Sequence, residues 1–269
     1  MNVPMGTKIH PTAIIDPSAE IAEDVEIGPY VVIGAQVSIE EGTHVGPHVV
    51  IQGPTRIGRD NVFIGQASIG TIPQDLKYQG ESSCLSIGHR NRIREFVTIN
   101  RGTEGGINKT VIGSDNLLMS TVHVAHDCVI GDGTVFAQST ALGGHVNVGD
   151  HAILGGFVGV HQFCRVGTYS FVGGYSVLTR DALPFVKTVG IRNRARIYGI
   201  NHIGLERKGF STDDIHGLKK AYRILFGKGQ LLEKALVEVE KECKGMSYVG
   251  ELVSFVKGAE RGFVRSTGN

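Results

Sequence analysis

The sequence has no tryptophan, and aromatic residues make up only 7% of its 269 positions. A single globular core built on large rings is not expected from such a composition. No run reaches the roughly 18 consecutive apolar residues of a membrane helix, so no membrane span is expected. The N-terminus lacks a basic stretch followed by an apolar segment, so no secretory signal is expected and a cytoplasmic location follows as the default. The four cysteines, Cys84, Cys128, Cys164 and Cys243, show no CxxC spacing and no disulfide framework. Neither sign of charge dominates: 27 Lys+Arg stand against 26 Asp+Glu, a formal charge of +1. That balance argues against a general nucleic-acid binder but leaves room for a local basic patch. Glycine, in contrast, is abundant at 38 residues. This is about 14%, against a usual share of about 7%. It does not recur at every third position, which excludes collagen. The 41% hydrophobic share argues against disorder.

The glycine belongs to a repeat of six. Every sixth residue from Ile9 through Ile15, Ile21 and Ile27 to Ile69 is aliphatic or Phe; the register resumes at Ile87, Ile93 and Ile99, and runs again from Ile112 to Leu178. The fifth residue of each hexad is mostly small or β-branched, as at Ala13, Ala19, Val25, Cys128 and Thr134. Residues two apart on a strand share a face, so first and fifth positions point inward and fourth and sixth outward. The second and third positions are then expected to turn the chain. Half of the second positions are glycine, among them Gly28, Gly34 and Gly46, read here as corner residues. Three hexads per coil give a triangular prism with coils about 4.8 Å apart, a parallel β-helix. Cys128 and Cys164 fall in one inward column two coils apart. That is roughly 9–10 Å, too far for a disulfide, so both are read as small core residues.

Two stretches break the register, 70–86 and 101–111. The first carries Gln74, Asp75, Lys77 and Tyr78 and is a candidate functional loop. The repeat ends near Pro184, which divides the chain into a β-helix over 1–186 and a basic linker with an α-helical domain over 187–269. Ser211 and Asp214 have the spacing of a capping box. Helices are expected over Ile215–Phe226, Leu231–Cys243 and Tyr248–Lys257. Between 187 and 223 lie Lys187, Arg192, Arg194, Arg196, Arg207, Lys208, Lys219, Lys220 and Arg223, against only Glu206, Asp213 and Asp214. This basic belt suits phosphates or an acidic protein partner, or is a solvated helical surface.

Three histidines fall on one face in successive coils: His126, His145 and His161, in the hexads led by Val124, Leu142 and Val160. His123 points outward nearby. Three readings remain open on the pattern. A zinc site would require converging nitrogens. A general-base site needs one imidazole beside a hydroxyl. Otherwise the histidines simply occupy solvated corners. Asp127 follows His126 and can orient its ring if the corner allows. Gly143 and Gly144 leave bare backbone beside His145, and the Gly144 N–H is a candidate oxyanion donor.

The repeat, together with Gln74-Asp75-Leu76-Lys77-Tyr78, Asn91-Arg92-Ile93-Arg94-Glu95, Gly113-Ser114-Asp115-Asn116-Leu117-Leu118-Met119, His126-Asp127-Cys128 and Val160-His161-Gln162-Phe163-Cys164, closely resembles the acyl-[acyl-carrier-protein]–UDP-N-acetylglucosamine O-acyltransferases, which begin lipid A synthesis. The likeness continues through Gly204-Leu205 and Gly209-Phe210-Ser211. It implies a left-handed coil, although parallel crossovers in general are right-handed. It implies a homotrimer with active sites between subunits. The outward Phe96, Leu117, Ile153, Phe157, Phe163, Tyr169, Phe171 and Tyr175 independently ask for cover. By the same resemblance His126 is the general base supported by Asp127, and Gly144 is the oxyanion donor. Gln74, Asp75, Lys77, His145, His161 and Gln162 contact the sugar nucleotide, and Asn201 and Arg207 the uridine or phosphates. Gly174 sets acyl length, and its lack of a side chain favours a longer chain. Acyl carrier protein is the implied partner and donor, with no metal and no diffusible cofactor. Lys208 stands where many relatives have a second Arg, and Ile203 where Glu is frequent. Rival readings are the N-acyltransferase of the same pathway, a zinc carbonic anhydrase of this fold, and a trimeric scaffold. The first carries an extra N-terminal domain for which hexads starting at residue 9 leave no room.

Overall fold

The computed structural model describes residues 6–191, 194–227 and 229–265; Arg192 of the basic belt lies outside them. Each hexad forms a strand of two to four residues and a corner. The strands fall into three sheets of 11, 9 and 8 members, here the first, second and third faces. Through Val177–Leu178, neighbours within a face are three strands apart in sequence, so each coil contributes one strand to each face. First-position residues stack directly, Ile27 on Val45, Val45 on Phe63, Phe63 on Ile93 and Ile93 on Leu118. All pairs in the coil are parallel. The β-helix of hexapeptide repeats read from the sequence is therefore the fold.

The corners differ from the expectation. They occupy the third and fourth positions of the hexad rather than the second and third. The fourth residue takes the left-handed conformation, with φ of 58° at Tyr30, 59° at Asp127, 62° at His145 and 65° at Phe163. Its amide donates to the third-position carbonyl one coil earlier, as in His145 N–H to His126 O at 3.0 Å and Phe163 N–H to Gly144 O at 3.0 Å. Side-chain-bearing residues thus hold a conformation that usually costs them about 1–2 kcal/mol. The second-position glycines serve another purpose. Gly46 has no left-handed φ, but a Cβ on it would stand 2.1 Å from the Ile64 carbonyl oxygen of the next coil. At Gly155 it would stand 2.5 Å from the Gly174 nitrogen. Glycine there permits one coil to approach the next.

The interior is apolar at first positions, with Phe63 and Phe136 wholly buried. Fifth positions carry a polar ladder on one column. Asn91 donates through its backbone and side-chain amides to Asn61 Oδ1, both at 2.9 Å. Asn116 N–H donates to Asn91 Oδ1 at 2.9 Å, and Thr134 donates twice to Asn116 Oδ1 at 2.7 Å. Each coil supplies partners to the buried amides of the next, although Asn116 Nδ2 finds none among the described residues.

The first face continues beyond the boundary placed at 186: strand Val186–Val189 pairs parallel with Phe171–Val172, and Arg196–Ile200 then pairs antiparallel with it. Among the described residues four helices follow: α1 (His202–Arg207), α2 (Thr212–Gly227), α3 (Leu232–Glu242) and α4 (Ser247–Lys257). The short α1 was not expected. The Ser211 hydroxyl accepts the Asp214 N–H at 3.1 Å, one half of the capping box anticipated from the sequence, and the Asp214 carboxylate accepts the Ser211 hydroxyl at 2.6 Å rather than the Ser211 backbone N–H. In α2 the buried Ile215, Leu218, Ala221 and Leu225 form the stripe that packs against α3 and α4. Arg165 ties α4 to the coil, donating to Asp181 at 2.8 Å and to the Phe255 carbonyl at 3.0 Å. Tyr169 packs with Phe185 and Phe210, and Phe210 packs on Tyr248. Tyr169, read as needing a partner subunit, is therefore covered by its own chain. Among the described residues no helix is long and apolar enough to cross a membrane.

Candidate active site

Both register breaks lie at the corner between the second and third faces. Residues 72–83 leave strand Ser68–Thr71 and return at Cys84–Ile87; residues 101–108 leave Thr98–Asn100 and return at Lys109–Ile112. They replace that corner in two consecutive coils. The next three turns of the same corner carry Asp127, His145 and Phe163 at the fourth position.

The left-handed φ of Asp127 turns its side chain back toward its neighbour. His126 Nδ1–H donates to Asp127 Oδ2 at 2.8 Å. The same carboxylate accepts the Thr103 N–H at 3.1 Å, the Thr103 hydroxyl at 2.6 Å and the Ile107 N–H at 3.0 Å. Burial pushes the Asp127 carboxyl up, but the hydrogen bonds from Thr103 and His126 outweigh it and hold it below the usual range. Asp127 is thus a buried anion that fixes the ring orientation of His126.

His126 lies edge-on to His145, with ring centroids 5.0 Å apart, and His145 stacks on Phe163 at 4.3 Å. Burial lowers the His145 pKa, with the His126 charge adding to it against opposing pulls from Asp127 and Asp75. His123 is likewise lowered by burial and by His126, and its Nδ1 lies 2.7 Å from the Thr98 hydroxyl. The His126 ring rests on Gly144, where a Cβ would lie 2.6 Å from its Cε1. Gly144 N–H makes no hydrogen bond among the described residues.

Donor atoms of His126, Asp127 and His145 lie within 4.8 Å of one another, close enough to suggest a metal. The donor set fits one poorly. Asp127 already accepts four hydrogen bonds and has no lone pair to turn toward a cation. His161, placed by sequence in the same column, is not brought into the cluster. It is exposed, and its Nδ1 lies 3.1 Å from the Gln162 carbonyl. Phe163 takes the stacking position instead.

Beside the dyad lies a cleft of about 820 Å³, lined by Asp75, Lys77, Tyr78, Glu81, His145 and Phe163, among others. Gln74 and Gln162 are exposed and do not line it. A second cleft of about 500 Å³ lies at the corner between the third and first faces, where Asn201, Arg207, Lys208, Lys187 and His151 meet. Asn201 is buried there and its amide donates to the Tyr169 carbonyl at 3.1 Å. Gly174 lies at the remaining corner, exposed, with Phe157 stacked on Tyr175 beside it at 5.0 Å. One chain therefore divides the sequence-predicted set among all three corners. The basic belt divides as well: Lys187, Arg207 and Lys208 line the second cleft, while Lys219, Lys220 and Arg223 lie on α2, where Lys220 pairs with Glu242 at 3.0 Å. Thr103, Ile107, Glu81 and Arg101 were missed because they lie in or beside irregular loops whose paths the repeat does not set.

Known proteins match along 96–97% of the chain. Residues 181–264 match the family model described as UDP N-acetylglucosamine O-acyltransferase, domain 2, and residues 6–40 and 109–144 match the bacterial transferase hexapeptide repeat. The acyl-[acyl-carrier-protein]–UDP-N-acetylglucosamine O-acyltransferase of Stenotrophomonas maltophilia is 48% identical over 258 residues, 96% of this chain and 98% of its own length. That of Burkholderia orbicola is 49% identical over 263 residues, covering 96% and 100%. Among solved structures, LpxA of Acinetobacter baumannii superposes with a TM-score of 0.92 at 46% identity over 96% of this chain and 99% of its own. The UDP-N-acetylglucosamine acyltransferase of Francisella novicida gives 0.92 at 36% identity, covering 97% and 95%. With these likenesses over a hexapeptide coil and a helical C-terminal part, the chain belongs to the family of acyl-[acyl-carrier-protein]–UDP-N-acetylglucosamine O-acyltransferases.

Proposed function

We propose that the protein transfers a 3-hydroxyacyl group from acyl carrier protein to the glucosamine 3-position of UDP-N-acetylglucosamine, the opening step of lipid A synthesis, with His126 as general base. The observation that carries the base assignment is the 2.8 Å bond from His126 Nδ1–H to a carboxylate that three donors of the 101–108 loop hold ionised. With Nδ1 protonated, Nε2 is the basic nitrogen. It removes the hydroxyl proton as the oxygen attacks the thioester carbonyl. The tetrahedral oxyanion accepts the Gly144 N–H, and the imidazolium, stabilised by Asp127, returns the proton to the departing thiolate. A thioester is already activated, so the reaction needs no metal or diffusible cofactor.

Asp75, Lys77 and His145 line the cleft beside the base and suit a sugar's hydroxyls and a phosphate. Asn201 and Arg207 face another corner, and the corners of a six-residue face lie at most roughly 20 Å apart and point in different directions. A homotrimer resolves this, one subunit's histidine corner receiving a neighbour's Arg207 cleft. It also covers Phe96, Phe157, Phe163 and Tyr175, which are 48–70% exposed on the single chain. Acyl carrier protein, being acidic, suits the cations on α2. Steady-state assay with acyl carrier protein thioesters and UDP-N-acetylglucosamine tests the reading. His126→Ala is expected to lower kcat about 10²–10⁴-fold, the usual contribution of a general base. Full retained activity would remove His126 from the role.

A further inference from the structure

We infer that Arg101 is a positioning residue that clasps the 72–83 loop and thereby sets the affinity of the cleft for the sugar nucleotide; the inference rests on the reading of that cleft proposed above. Arg101 opens the second register break, and its guanidinium reaches back across the corner. Nη1 donates to the Gly53 carbonyl at 2.6 Å and to the Gly70 carbonyl at 3.3 Å, and Nη2 donates to the Tyr78 hydroxyl at 3.1 Å. Tyr78 in turn donates to the Glu81 carbonyl at 3.1 Å, and its own N–H donates to the Asp75 carbonyl at 3.0 Å. Asp75 Oδ1 accepts the Lys77 N–H at 3.0 Å, which fixes the carboxylate within its own turn. A single cation therefore ties the coil to the turn that carries Asp75 and Lys77 of the cleft.

The far end of the clasp reaches the base. Glu81 accepts the Gln79 N–H at 2.8 Å within its own loop and the Glu104 N–H at 3.4 Å from the other. The loop bearing Glu104 is bolted to Asp127 through Thr103 and Ile107. The two register breaks are thus one unit, anchored at Asp127 on one side and at Arg101 on the other. Removing Arg101 frees the 72–83 end while leaving the His126–Asp127 bond untouched. Its loss therefore acts on substrate affinity rather than on the chemical step. A planar guanidinium serves two carbonyls and a phenol together, which a lysine ammonium on a flexible stem does less well.

The test uses the full chain with Arg101→Met, Arg101→Lys and Tyr78→Phe. Amide hydrogen exchange of residues 72–83 is measured without substrate, together with Tm and with kcat and KM for each substrate. Arg101→Met is expected to accelerate exchange in 72–83 and raise KM for UDP-N-acetylglucosamine roughly tenfold, the worth of one charge-assisted hydrogen bond. Values of kcat and of KM for the acyl donor are expected to stay within about twofold, since only loop order changes. Arg101→Lys recovers part of the effect, and Tyr78→Phe shows a smaller shift in the same direction. An unchanged KM in a folded Arg101→Met protein overturns the inference. So does an equal loss in kcat and both KM values that tracks a lowered Tm. If Arg101→Met does not fold, Tyr78→Phe decides by the same two criteria. A wild-type protein that fails to acylate UDP-N-acetylglucosamine refutes the acyltransferase reading instead, and unaltered exchange over 72–83 in the variants then refutes the clasp.

Discussion

Gly144→Ala separates the two things asked of Gly144. Alanine keeps the backbone N–H proposed for the oxyanion, so only a methyl group is added. That methyl would stand 2.6 Å from His126 Cε1, 2.7 Å from Nε2 and 3.2 Å from Nδ1. Carbon contacts are comfortable at about 3.5–4.0 Å, so the imidazole must retreat by about 1 Å. It has little freedom to do so. Asp127 holds it at 2.8 Å on one side and the His145 ring meets it with centroids 5.0 Å apart on another. A misplacement of about 1 Å costs about 10²-fold in rate. Stability responds differently. Gly144 does not adopt a left-handed φ, so alanine carries no backbone penalty there. Its lower unfolded-state entropy, about 0.4–1 kcal/mol, offsets part of an overpacking cost of about 1–3 kcal/mol. The expected result is a kcat lowered about 100-fold with a Tm reduced by only a few degrees, about 2–4 °C per kcal/mol at this size. A kcat within about threefold of wild type in the folded variant would refute the claim that the bare Cα seats the base.

Asp127→Asn leaves donors of the 101–108 loop without a full set of acceptors. It is expected to destabilise the fold by about 1–3 kcal/mol per unpaired group and to suppress turnover, both read by denaturant melts and initial rates. Because the folded Asp127 carboxyl titrates below its unfolded value, its stabilising contribution is fully present above about pH 4 and is lost as pH falls through the folded value. The wild-type stability curve should therefore decline on acidification more steeply than that of Asp127→Asn; parallel curves would contradict the assignment. Gly46→Ala, which places a methyl 2.1 Å from the Ile64 carbonyl oxygen, is expected to lower stability by about 3 kcal/mol, while Gly159→Ala, with nothing within 4 Å, is neutral or better. Equal melting points for the two would remove the close-approach account of the second-position glycines. Mixing His126→Ala and Arg207→Ala subunits after joint refolding should restore activity at roughly a quarter of the sites if each site joins two subunits. No recovery would place both residues of one site on one chain.

The coil was legible because its physics is periodic. A buried residue at every sixth position and another four further on can be satisfied by only one stacking geometry, and the first-position stack from Ile27 to Leu118 follows it. The corner was misplaced by one residue because glycine was taken to mark conformational freedom. Gly46 and Gly155 instead mark the approach of one backbone to another, a tertiary fact that a single strand of sequence does not contain. The coil's left hand likewise came from resemblance, since the ordinary rule for parallel crossovers points the other way. The candidate site was legible in the juxtaposition of His126, Asp127 and Gly144, from their positions in the repeat. It was opaque where backbone amides do the holding, at Thr103, Ile107 and Glu104.

Moving the corner by one position also explains how adjacent residues come to act as a pair. On a regular strand His126 and Asp127 would point to opposite sides, and a hydrogen bond between their side chains would be excluded. The left-handed φ of 59° at Asp127 breaks that alternation and brings Oδ2 to 2.8 Å from Nδ1. Most corners of the coil have such a residue, so the backbone device is general and cannot by itself make a site. The second–third corner is singled out because two preceding coils replace their turns with longer loops, and those loops supply the donors that hold a buried carboxylate ionised. Remove the loops, and Asp127 would keep its conformation but lose the hydrogen bonds that offset its burial. Its carboxyl would then titrate upward and its hold on the imidazole would weaken. The insertions therefore tune the His126–Asp127 pair as well as lining the cleft, and the repeat supplies the angle at which that tuning is delivered.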